Sequence, residues 1–84
     1  MILYHATTPK KARKYRETGY ILKPVRGFDT LMAAMAWALR TGRTVIYEIA
    51  GDPTYKLPDH HNKFGTAYWI DADVPVKDIK CVRG

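Results

Sequence analysis

Nine consecutive residues, 31–39, carry no charged or strongly polar side chain, and four of them are alanines: Ala33, Ala34, Ala36 and Ala38. That pattern predicts a helix, and a helix apolar on every side is expected to be buried on more than one face. Alanine adds little bulk, so such a helix can approach a sheet closely. A chain of 84 residues has room for one domain built around one such element. The helix is predicted over 31–40, with Asp29 or Thr30 as its cap and Gly42 as its terminator. A composition of 46% hydrophobic and 12% aromatic residues is ample for a folded core and excludes a disordered chain.

The remaining elements fall around that helix. Residues 2–6 form a short apolar run and predict a first strand. Thr8 and Pro9 open a helix, because Thr suits the cap and Pro loses no hydrogen bond at the first helical position. It is predicted to run to Thr18 and stop at Gly19, with Ala12 and Tyr15 turned inward. Residues 20–22 read as a second strand closed by Pro24, and 27–30 as the lead into the alanine-rich helix. The clearest strand is 44–50, with Val45, Tyr47 and Ile49 on one face and Ile46 and Glu48 on the other. Residues 51–65 form a long connection, which favours a functional or mobile loop. Strands are predicted at 66–71 and 79–82, with a turn at 74–78 between them. The order β-α-β-α-β-loop-β-β predicts one α+β domain over 1–84, a small mixed or antiparallel sheet with two helices.

Charge is unevenly placed. The chain carries +6, yet residues 1–43 hold nine Lys and Arg against two acids, and 44–84 hold five against six. Lys10, Lys11, Arg13, Lys14 and Arg16 cluster on the first predicted helix. Such a cluster attracts phosphate, through a nucleotide, a nucleic acid or an acidic protein, or is simply a solvated helix face. Aromatics beside basic residues also describe a single-stranded nucleic-acid surface, with Tyr15 and Tyr20 the best candidates for stacking. Most of the other aromatics fall where a small core needs bulk.

Several chemistries are excluded or disfavoured. The chain has no serine, so no serine nucleophile, and it lacks the glycine-rich loops that cradle phosphates. Its single cysteine, Cys81, excludes an internal disulfide and a cysteine-built zinc site, and is expected to be a small buried hydrophobe. Asp59, His60 and His61 invite a metal reading. Adjacent histidines on an extended chain point apart, however, so a polar loop tip and no metal are expected. No apolar run approaches the ~18–20 residues of a membrane-spanning helix, and the opening residues lack a signal-peptide pattern. A reducing cytoplasmic setting and no membrane partner are the expectation. His5 ends the first strand beside a helix N-terminus, where it can meet ribose hydroxyls or a pyrophosphate, or serve the fold alone.

Leu3-Tyr4-His5-Ala6-Thr7, followed by a helix ending at Gly19-Tyr20-Ile21, resembles the opening of the ADP-ribosyltransferase fold, the poly(ADP-ribose) polymerase and RNA phosphotransferase type. Gly27-Phe28-Asp29-Thr30 with Ala33 and Ala36-Trp37-Ala38 is similar to the segment where that family places a glycine, an aromatic and a short helix. Tyr68-Trp69-Ile70-Asp71, Val74-Pro75-Val76 and Ile79 resemble its closing segment. The resemblance implies a cleft for NAD, ADP-ribose or a related nucleotide. It implies that Tyr4, His5 and Thr7 contact the cofactor, with His5 on a ribose, and that Phe28 or Trp37 forms the wall for a flat ring. The family's catalytic glutamate would fall at Thr66 or Ala67, neither of which carries a carboxylate. Glu48, on another predicted strand, is then the candidate carboxylate beside His5, or else a partner for a Lys or Arg. Two functions follow: a nucleotide-binding domain, with or without transferase activity, or a non-enzymatic basic module for nucleic acid or an acidic protein.

Overall fold

The computed structural model describes residues 1–83. Strand β1 (Ile2–Thr7) lies inside a six-stranded sheet in which every neighbouring pair is antiparallel. The order is β5 (Tyr55–Lys56), β6 (Ala67–Ile70), β3 (Val25–Phe28), β1, β4 (Val45–Ala50), β8 (Ile79–Arg83). A separate ribbon pairs β2 (Tyr20–Ile21) with β7 (Val74–Pro75). The expected α+β domain with two helices is present, and its sheet is antiparallel rather than mixed.

Both helices begin and end as their sequences dictate. Helix α1 (Pro9–Thr18) is capped by Thr8, whose hydroxyl accepts the Lys11 amide, and stops at Gly19 with φ 82°. Helix α2 (Leu31–Thr41) is capped by Thr30, which accepts the Ala33 amide at 3.1 Å. Asp29 does not cap: its carboxylate accepts the Thr66 amide at 2.8 Å and ties the entry of α2 to β6.

The sheet buries both faces. On one face Leu3, Val25, Val45, Tyr47, Ile49 and Ile70 pack with Ala12 of α1 and Ile21 of β2. On the other, Phe28, Ile46 and Ala67 pack under Ala33, Ala34 and Ala38. The alternation expected in β4 is therefore the division between the two cores. Helix α2 is not buried all round: Met32 is 60% and Leu39 79% exposed. The sheet covers one side of it and the 57–65 connection another: His60 packs on Trp37 and the Asn62 side-chain amide donates to the Ala33 carbonyl at 3.1 Å.

Other expectations are corrected. Strand β3 replaces the lead-in segment expected at 27–30, and it, not β2, joins the main sheet. The connection 51–65 is built structure: it holds β5, a short 3-10 turn at Pro58–His60 and an Asn62–Gly65 bridge. Val74–Pro75 is a strand, with a 3-10 turn at Val76–Asp78 after it. Cys81 is exposed, because β8 is an edge strand that neither helix covers. No helix of the described residues is long and apolar enough to cross a membrane.

Gly27 permits β1 and β3 to approach. A Cβ there would lie 2.9 Å from the Cβ of Leu3, an atom fixed to the backbone of the central strand. Gly27→Ala is expected to destabilise the domain by about 1–3 kcal/mol, the usual cost of overpacking a closed core, read as a lower midpoint in urea unfolding.

Candidate functional site

The ladder between β1 and β3 is confined to one register pair, Tyr4 with Phe28, whereas β1 pairs β4 along all six of its residues. Beyond that pair the two strands part, and a cavity of about 330 Å³ opens between them. One wall is His5 and Thr7 of β1 with Tyr15 of α1; the opposite wall is Phe28, Trp37, Leu57 and His60. Lys11, Lys14, Arg26 and Arg43 add four cations to its lining.

His5 bridges the opening. Its Nδ1 is 2.6 Å from the Arg26 carbonyl, which can only accept, so Nδ1 carries the proton and Nε2 is an acceptor. The Tyr15 hydroxyl, 3.1 Å from Nε2, must then donate to it, and Thr7 Oγ1, 3.1 Å away, donates to Tyr15 in turn. Both ring nitrogens of His5 are thereby occupied within the protein. Burial, assisted by the positive charges of Arg43, Lys11 and Arg26, holds the His5 pKa below its ordinary 6.5 despite the opposing bond to the Arg26 carbonyl. Burial likewise raises the Tyr15 phenol above 10.0. At neutral pH this chain, which runs from Thr7 through Tyr15 and His5 to the Arg26 backbone carbonyl, is uncharged.

The second imidazole of the cavity is His60. Its Nδ1 is buried without a hydrogen-bond partner among the described residues, and its ring lies 4.8 Å from that of Trp37. Phe28 stands 6.0 Å from Trp37 on the same wall. The sequence places His60 at a loop tip; the 3-10 turn carries it into the wall instead. Only the Pro58 that starts this turn hints at that placement. His61 serves the fold, accepting the Ala67 amide on its Nδ1 at 2.9 Å. Among the described residues no three His, Cys, Asp or Glu side chains converge as a metal would require.

The sequence-expected residues divide accordingly. His5, Thr7, Phe28 and Trp37 meet at the cavity, joined by Lys11 and Lys14. Lys11, Lys14, Tyr15 and Thr18 fall at i, i+3, i+4 and i+7, one face of α1, a spacing visible in the sequence. Lys10, Arg13 and Arg16 are exposed on α1 and do not line the cavity. Tyr4 and Glu48 also lie outside it: they are register partners on the α2 side of the sheet, and the Tyr4 hydroxyl donates to Glu48 at 3.4 Å. Arg43 is one cation among many in the sequence, and no local pattern distinguishes it.

No protein-family model, curated protein or solved structure matches this chain.

Two predictions concern the hydrogen-bonded chain. The unfolded state protonates His5 near 6.5 and the folded state only at lower pH, so between those values the unfolded chain binds more protons. Stability should therefore be full above pH 6.5 and decline as pH falls below it, seen as a dropping thermal midpoint; His5→Asn, which keeps a donor for Arg26, should flatten that slope. Thr7 is 1% exposed and its hydroxyl meets only Tyr15 among the described residues. Tyr15→Phe should cost about 1–3 kcal/mol by stranding that hydroxyl, and Thr7→Val in the same chain should recover part of the loss in a double-mutant cycle.

Proposed function

We propose that the cavity between β1 and β3 binds a nucleotide: a flat ring against Phe28 and Trp37, and phosphate at Lys11, Lys14 and Arg43. NAD, ADP-ribose and mononucleotides are the candidate ligands, consistent with the resemblance to the ADP-ribosyltransferase fold. The observation that carries this reading is convergence. An aromatic wall that includes the His60 ring and four cations share one cleft, and its lining has no carboxylate among the described residues. Aromatic rings favour a stacked heteroaromatic base, and fixed cations favour its phosphate.

The volume, about 330 Å³, lies at the small end of the roughly 300–1,000 Å³ of small-molecule sites. It suits one nucleotide unit; a dinucleotide would leave its second half outside. His5 acts in this reading as a clamp that holds the cleft open at a set width, and Tyr15 as the group it orients. His60 adds its ring to the aromatic wall beside Trp37. Glu48 is outside the cavity lining, separated from Phe28 by Tyr4 in the same row of the sheet and accepting the Tyr4 hydroxyl, so the site is read as a binder of nucleotide phosphates rather than a carboxylate-assisted transferase.

Calorimetric titration with AMP, ADP-ribose and NAD tests the reading. Binding of AMP or ADP-ribose is expected, weakened at least about tenfold by Trp37→Ala, the scale of losing one stacked ring. Lys11→Gln combined with Lys14→Gln should weaken it further and reduce its dependence on salt. Absence of binding by all three ligands at millimolar concentration would sink it.

A further inference from the structure

Row by row, the α2 side of the sheet changes character beside the cavity. The Phe28–Ala67 pair lies under the alanines of α2. The next row, Arg26 on β3, Trp69 on β6 and Tyr55 on β5, consists of direct register partners across three strands. Its side chains form one stack. The Arg26 guanidinium sits 5.7 Å from the Trp69 ring centre, and Tyr55 lies on Trp69 at 5.5 Å with 15° between the planes. Both faces of Trp69 are thus occupied, while Tyr55, on the edge strand and 51% exposed, leaves the stack open at its outer end.

We propose that the nucleotide in the cavity is the end of a single-stranded nucleic acid, and that the strand runs along this row to stack a base on Tyr55. The proposal rests on the nucleotide reading of the cavity. Three observations carry it beyond that reading. Arg26 belongs to both the cavity lining and the stack, so the two are continuous. The cavity has room for one nucleotide unit, which leaves the rest of a strand outside it. Tyr55 lies two strand spacings from Arg26, about 10 Å, within reach of the few nucleotides that would follow the one in the cavity.

Charge selects the same partner. A chain of net charge +6 with four cations around an acid-free cleft attracts a polyanion. An acidic peptide would satisfy the cations, but it has no flat ring at each residue to extend a stack that ends on an open tyrosine face. A nucleic acid meets both demands, since every base has a π-face and every step a phosphate. The sequence favours Tyr15 and Tyr20 for this role. Tyr15 is instead tied to His5 and Thr7, and Tyr55 takes its place.

The test uses the full chain, with AMP, a five-nucleotide RNA and a DNA of the same sequence as probes, measured by calorimetry and fluorescence anisotropy. One of the two strands should bind at least about tenfold more tightly than AMP, the scale of one added stacked base. Tyr55→Ala should abolish that advantage and leave AMP affinity unchanged, and Tyr55→Phe should retain it; circular dichroism establishes that both variants are folded. The proposal is overturned if neither strand binds more tightly than AMP, if Tyr55→Ala leaves the strand's advantage intact, or if a glutamate peptide of equal charge competes as well as the strand. AMP that binds with no advantage for a strand would defeat this proposal alone, whereas AMP that fails to bind would defeat the cavity reading beneath it.

Discussion

One hydrogen bond, from the His5 imidazole to the Arg26 carbonyl at 2.6 Å, stands where the backbone ladder between β1 and β3 gives out. Two strands that part leave backbone groups the ladder would have paired, and here a side chain takes one of them. A side chain spans more distance than a ladder bond does, and it holds the strands together while keeping a gap between them. The cavity opens where that side chain takes over from the ladder. Gly27 is its counterpart on β3, since only a residue without a Cβ lets the strand come against Leu3 before the two diverge.

The same arrangement separates the chemistry of the two cavity histidines. Because His5 uses both ring nitrogens within the protein and is kept neutral by burial and neighbouring cations, it contributes shape rather than a free hydrogen-bonding group. His60 packs its ring on Trp37, and its Nδ1 is buried without a partner among the described residues. The cationic lining is assembled from distant parts of the chain, with Lys11 and Lys14 from α1, Arg26 from β3 and Arg43 just after α2. Concentrated charge in a low-dielectric cleft acts more strongly on a phosphate than the same residues would on an open face.

Much of the scaffold was legible because its signals are local. Thr8, Pro9 and Gly19 delimit α1, and Thr30 and Gly42 delimit α2, through groups only a few residues apart. The alternation of 45–49 marks both sheet faces because side chains in a strand have period two. Strand β3 was not legible. Arg26 and Gly27 break the apolar pattern, and the reason for that glycine is Leu3, more than twenty positions earlier in the chain. Cys81 misled for a related reason: an apolar run predicts burial, but the place of β8 at the sheet edge decides it. The alanine-rich segment is covered on more than one side, by the sheet and by the 57–65 connection, while Met32 and Leu39 stay exposed.

The sequence by itself determined the two helices, their stops, most of the sheet, the basic character of α1 and the presence of Phe28 just before α2 and Trp37 within it as ring-sized groups. These follow from propensities, caps and periodicities that act over a few residues. Only the tertiary structure decided that β1 and β3 part after one pair, that His5 is clamped while His60 Nδ1 has no partner among the described residues, that Glu48 stays outside the cavity lining, and that Arg26, Trp69 and Tyr55 stand in one row. Each of those outcomes rests on which residues from distant segments become neighbours, and no pattern within a short window carries that information.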